Sequence, residues 1–165
     1  MKAVLASAIL LLSMAPAASA DELSGQMLTV HNRERAEVGA APLVWNDDLA
    51  RDAQRWADHL AATGVLEHAG RDENPNSGEN LSMGSAGGYS MAQLAQGWAD
   101  EKALFQFGTF PDVSTDGNWA SVGHYTQMVW KSTARIGCAS ATGGGWDFLV
   151  CRYDPPGNYL GQTPW

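Results

Sequence analysis

Residues 135–153 read Arg-Ile-Gly-Cys-Ala-Ser-Ala-Thr-Gly-Gly-Gly-Trp-Asp-Phe-Leu-Val-Cys-Arg-Tyr. Two runs with strand character flank three glycines, which is the pattern of a β-hairpin. If Gly144-Gly145 form a two-residue turn, Gly143 faces Trp146. Counting outward, Cys138 then faces Cys151, in the type of antiparallel pair where side chains approach most closely. That spacing is compatible with a disulfide. Both faces of the hairpin are apolar: Ile136 and Leu149 on one, Trp146, Phe148 and Val150 on the other. A sheet of this kind needs cover on both sides, which argues for helix-sheet-helix layers.

The helices to supply that cover lie upstream. Leu23, Met27 and Val30 have helical spacing, and Gly39 ends that helix. Asn46 reads as an N-cap with Asp47 and Asp48 in the first turn, where the helix dipole favours acid. Leu49, Ala53, Trp56 and Leu60 then form one stripe, and Gly64 stops the helix. Residues 65–88, rich in Gly, Asn and Ser, read as mostly loop. Ser90 and Gln93 form a capping box, with Tyr89 and Leu94 as the hydrophobic staple. In the helix that follows, Glu101 shares a face with Leu94 and Trp98. A carboxylate on such a stripe points inward, which is costly without a partner. After a loop over 105–120, a short helix is expected to begin near Val122 or Gly123.

The first twenty residues have the character of an export signal. Lys2 precedes an apolar run, Ala3 to Met14, and Ala18-Ser19-Ala20 is a small-residue cleavage site. The run is too short to span a bilayer. The expected organisation is therefore a signal peptide over 1–20 and one domain over 21–165, secreted, without a membrane anchor. The formal net charge is −8, and loss of Lys2 makes it one more negative. Such a surface repels nucleic acid but forbids neither a cation nor an apolar ligand. Two cysteines in an exported chain favour one disulfide.

One further segment precedes the hairpin, Gly-His-Tyr-Thr-Gln-Met-Val-Trp at 123–130, and another begins on its second strand, Cys-Arg-Tyr-Asp-Pro-Pro-Gly-Asn-Tyr-Leu-Gly-Gln at 151–162. They resemble the two signature segments of the CAP superfamily: cysteine-rich secretory proteins, antigen 5 and the class-one pathogenesis-related proteins of plants. The resemblance extends to His31-Asn32-Arg33-Glu34-Arg35, Pro42-Leu43-Val44-Trp45, Glu67-His68, Gly78-Glu79-Asn80-Leu81 and Trp98-Ala99-Asp100-Glu101-Lys102. The ending Gly161-Gln162-Thr163-Pro164-Trp165 looks plant-like. The fold it implies is α+β: an α-β-α sandwich with a small, mostly antiparallel central sheet between helical layers. It also implies a cleft lined by His68, Glu79, Glu101 and His124.

Those residue types suit Zn²⁺ or another divalent cation. Imidazole nitrogens are borderline ligands, and carboxylates behind them would fix their orientation. The alternative is a polar cluster that satisfies only itself. His31 and His59 read as structural, and Arg35 as an internal pairing residue, with the C-terminal end as its candidate partner. Some relatives bind sterols or related lipids through aromatic loops, and Phe105, Phe107 and Phe110 occupy the corresponding loop. Asp112, however, stands where the stricter fungal pattern has an aromatic. No Gly-x-Ser-x-Gly elbow and no His-Glu-x-x-His helix is present. The leading expectation is a monomeric binding protein for a divalent cation, with a small lipid or sterol-like ligand nearby and no catalytic residue assigned. An extracellular hydrolase using the Glu/His cleft and a protein-protein effector are the alternatives.

Overall fold

The hairpin forms as its glycines require. In the computed structural model, which describes residues 20–74 and 76–165, strands β3 (Arg135–Gly143) and β4 (Trp146–Asp154) pair antiparallel with Gly143 opposite Trp146. Gly144 and Gly145 have φ of 60° and 85°. Both lie in the left-handed region that this turn demands and that side chains resist. Cys138 and Cys151 are register partners and form the disulfide, with Cα atoms 4.1 Å apart. The expected export signal lies outside the described residues, except for Ala20, which opens helix α1 (Ala20–Glu37).

The order continues with β1 (Val44–Trp45), α2 (Asp47–Thr63), β2 (Gly78–Ser85) and α3 (Met91–Asp100). A 3₁₀ turn over Glu101–Leu104, a second over Trp119–Ser121 and the short α4 (Gly123–Val129) precede the hairpin. The caps follow the chemistry. The Asn46 side chain accepts from Leu49 N, Gly64 closes α2 in the left-handed conformation, and the Ser90/Gln93 box is complete. Tyr89 and Leu94 both lie over Gly84.

The sheet order is β1-β3-β4-β2. β1 is parallel to β3, and the other two pairs are antiparallel. Helix α2 covers one face, where Ala53, Ala57 and Leu60 pack on Leu81, Ala139, Phe148 and Val150. Helices α1, α3 and α4 cover the other, with Met27, Trp98, Met128, Ile136 and Leu149 at its centre. The α-β-α sandwich is thus observed. Small residues on β3 let α2 lie close. A Cβ on Gly137 would come within 2.3 Å of Ala50 N, and one on Gly143 within 2.1 Å of Ala61 O.

Two expectations are corrected. Residues 78–85 are not loop but a strand paired with β4 along its whole length. Gly, Asn and Ser are poor strand formers, yet Leu81 and Met83 alternate onto the α2 face and give that face its cover. Arg35 does not reach the chain's end. It is fully buried and donates to the carbonyls of Ala41, Met128, Trp130 and Thr133 at 2.6–3.0 Å. Burial lowers its pKa to about 10.

Candidate functional site

Four separate elements deliver the residues singled out above. His68 stands in the loop after α2, Glu79 is the second residue of β2, Glu101 opens the 3₁₀ turn after α3, and His124 is the second residue of α4. Each is tied to a distant element, through its own backbone or that of a neighbour or through a neighbouring side chain. Trp56 Nε1 on α2 donates to Glu67 O at 3.0 Å, anchoring the residue before His68. Asn80 Nδ2 donates to His124 O at 3.1 Å, joining β2 to α4. Lys102 Nζ reaches Glu34 and Glu37 on α1 at 2.8 and 3.1 Å, pinning the residue after Glu101. These contacts raise the Lys102 pKa, its hydrogen bonds to Glu34 and Glu37 dominating.

The four side chains form two imidazole-carboxylate pairs. His68 Nδ1 lies 2.6 Å from Glu79 Oε1, and His124 Nδ1 lies 2.6 Å from Glu101 Oε1. An ionised carboxylate only accepts, so the nitrogen that faces it, Nδ1, carries a proton in each pair; in the neutral form of such an imidazole Nε2 keeps its lone pair. The imidazoles face outward and the carboxylates sit behind them: side-chain exposure is 64% for His68 and 32% for His124, against 5% for Glu79 and 19% for Glu101. Trp98 packs beside His124, with ring centroids 6.0 Å apart and planes within 25°.

Each carboxylate is held on its far side by different means. Glu101 Oε2 accepts the backbone N–H groups of His124 and Tyr125, both at 3.0 Å, and so caps α4, whose own N-cap Val122 has no side-chain cap. Glu79 Oε1 also accepts from Ala69 N at 3.0 Å, while Oε2 faces the buried Arg152 guanidinium, Nη1 at 2.7 Å. That contact is an ion pair by distance without the alignment of a hydrogen bond. Burial lowers the Arg152 pKa, and Glu79 opposes the shift.

His68, Glu79 and His124 line a cavity of about 550 Å³ together with Asn80, Gln127, Asn158, Phe110, Pro111, Trp119 and Leu160. Glu101 backs this cavity through His124. Among the described residues no three His, Cys, Asp or Glu side chains are grouped to hold one ion. The four therefore do not make a closed cage; they present two backed imidazoles. A second cavity of about 680 Å³ lies on the other side of His68, between α2 and residues 67–73.

The remaining expectations sort by position. His31 is fully buried in the core, with Nδ1 on Met27 O and Nε2 on the Tyr153 hydroxyl, both at 2.7 Å. His59 stacks on Trp56 at 4.5 Å and borders the second cavity. Of the loop aromatics, Phe110 lines the first cavity. Phe105 packs into the core against Tyr125 and Trp165, and Phe107 is exposed beside Trp165. Sequence reasoning did not single out Arg152, Asn80, Trp119 or Leu160. The signal for Arg152 was the β2–β4 register, hidden once 78–85 read as loop.

Residues 28–153 match the family described as CAP, the cysteine-rich secretory protein family, and the chain belongs to it. It is 41% identical over 142 residues to "Pathogenesis-related protein PR-1" of Medicago truncatula, covering 85% of this chain and 78% of that one. It is 40% identical over 139 residues to "Pathogenesis-related protein 1A" of Nicotiana tabacum, covering 84% and 78%. Among solved structures, a crystal structure of NaASP2 with Zn²⁺ has a TM-score of 0.71 at 25% identity, covering 87% of this chain and 85% of that one. BmVAL-1 has a TM-score of 0.74 at 23% identity, covering 87% and 81%. No described helix is long and apolar enough to cross a membrane.

Proposed function

We propose that this chain is an exported CAP-domain binding protein that takes a divalent cation through His68 and His124, with Glu79 and Glu101 behind them, and a small apolar ligand beside it. The carrying observation is the pair of 2.6 Å contacts at Nδ1. They leave Nε2 of each imidazole as the donor, and a carboxylate on the opposite nitrogen is how metal-bound histidines are usually oriented. The residues fit a borderline cation such as Zn²⁺, which would supply a Lewis-acidic centre with positions left for water or a ligand. The Zn²⁺ of the NaASP2 structure, in a protein 25% identical to this one, points the same way. Phe110, Pro111, Trp119 and Leu160 supply the apolar wall for the second ligand.

Calorimetric titration with Zn²⁺ tests the reading. Metal binding needs neutral imidazoles, so affinity should fall on acidification. His68→Ala and His124→Ala should each abolish most of the binding. Glu79→Gln and Glu101→Gln should weaken it roughly 10- to 100-fold. If both alanine variants bind Zn²⁺ as tightly as the parent, the site assignment is wrong.

A further inference from the structure

The two imidazole arms are built differently. Behind His124, the far oxygen of Glu101 is held by backbone amides of His124 and Tyr125. Behind His68, the far oxygen of Glu79 faces a side chain, the guanidinium of Arg152. Glu79 and Arg152 are cross-strand partners in the β2–β4 register and point to the same face of the sheet. Both are buried, at 5% and 1% side-chain exposure. β2 cannot shift against β4 without breaking the ladder that joins them, so the carboxylate and the guanidinium are held opposite each other.

We propose that Arg152 is the positioning residue of the His68 arm: by occupying Oε2 of Glu79 it turns Oε1 toward Ala69 N and His68 Nδ1, and so sets the imidazole orientation that leaves Nε2 free. A buried carboxylate with both oxygens in play has other choices. It could rotate away from the loop and leave His68 Nδ1 and Ala69 N without their acceptor. With Arg152 at 2.7 Å from Oε2, the remaining oxygen accepts from both Ala69 N at 3.0 Å and His68 Nδ1 at 2.6 Å. His68 needs this help more than His124. It stands on a loop and is 64% exposed, whereas His124 is part of a helix and lies beside Trp98. Arg152 thus acts on one arm only, through Glu79; it borders the second cavity and not the one that His68, Glu79 and His124 share.

The proposal rests on the cation reading for its effect on binding, but not for its effect on the imidazole. The test uses Arg152→Gln, Arg152→Leu and Arg152→Lys in the full chain, each checked for folding by circular dichroism. Two measurements are made: calorimetric Zn²⁺ affinity, and the ¹⁵N shifts of His68 and His124 in metal-free protein at one fixed alkaline pH. Arg152→Gln should bind Zn²⁺ roughly 10-fold more weakly, the lower end of outer-sphere effects. Its His68 shifts should move toward a mixture of tautomers while those of His124 stay put. Arg152→Lys should recover most of both, since it restores the charge. Arg152→Gln combined with Glu79→Gln should be no worse than the poorer single variant, because the two residues act in series. Should Arg152→Leu fail to fold, the Gln and Lys variants carry the comparison. Unchanged His68 shifts in Arg152→Gln would overturn the proposal, as would equal movement of His68 and His124. A parent protein that binds no Zn²⁺ would sink the cation reading alone, and the ¹⁵N shifts would still decide the role of Arg152.

Discussion

Glu101 and His124 are joined twice: Oε1 meets the imidazole Nδ1 at 2.6 Å, and Oε2 accepts the backbone N–H of the same residue at 3.0 Å. One carboxylate therefore orients a cavity side chain and caps the helix that carries it. A glutamine cannot do both for the same imidazole tautomer, because its amide has one acceptor oxygen and one donor nitrogen. We expect Glu101→Gln either to leave one donor facing another or to force His124 into its other tautomer, and to cost about 1–3 kcal/mol of stability. Urea unfolding of the metal-free protein measures this. A variant as stable as the parent would show that the cap contributes nothing.

His31 predicts a pH dependence. Burial pushes its pKa down to about 4 from 6.5, so the folded protein holds it neutral while the unfolded chain protonates it. The stability it confers is fully present above pH 6.5 and is lost as the pH falls from there toward 4. The full loss is about 3 kcal/mol. Carboxylates also titrate in this range, so the parent must be compared with His31→Gln. Denaturant midpoints should fall more steeply in the parent. Parallel curves would rule out the assignment.

The disulfide is expected to be complete in the folded protein isolated without reductant. Thiol titration of the denatured, unreduced chain should find no free thiol, and the Cys138→Ala/Cys151→Ala double variant should lose about 3 kcal/mol. Two titratable thiols would break both the pairing and its place in the hairpin.

Helix α2 lies so close to β3 that Gly137 admits no side chain. A Cβ there would meet the backbone of Asn46, Leu49 and Ala50 at 2.3–2.6 Å, and backbone cannot turn aside as a side chain does. Gly137→Ala should cost about 3 kcal/mol, read as a lowered thermal midpoint. An unchanged midpoint would mean that the helix can slide on the sheet.

The apolar wall distinguishes Trp119 from Phe107. Trp119 lines the cavity and remains half-exposed, while Phe107 lies outside it against Trp165. Trp119→Ala should weaken uptake of an apolar fluorescent lipid probe several-fold, and Phe107→Ala should not. The reverse result would move the ligand to the outer surface.

Much of this was legible because the chemistry involved is local. The Gly144-Gly145 turn sets the register of the strands it joins, and the register sets Cys138 against Cys151. Asn46, Gly64 and the Ser90/Gln93 box act on backbone groups a few residues away. The inward turn of Glu101 follows from its place on the stripe with Leu94 and Trp98. Its partner lies 23 residues further on, and periodicity has no means of naming it; the family motif did. The sandwich itself follows from a hairpin with two apolar faces.

Only the tertiary structure decided the rest. Strand β2 exists because β4 has a second edge to satisfy and α2 has a face to fill, not because Gly78, Asn80 or Ser82 favour extension. Arg35 reaches four carbonyls brought together by the packing of α1 on α4, an arrangement no local pattern encodes. Arg152 stands behind Glu79 only once the β2–β4 register is known. Turns and caps are written into a few consecutive residues. Contacts across the sandwich depend on register and on how closely helix and sheet approach, and these are settled only when the whole core closes.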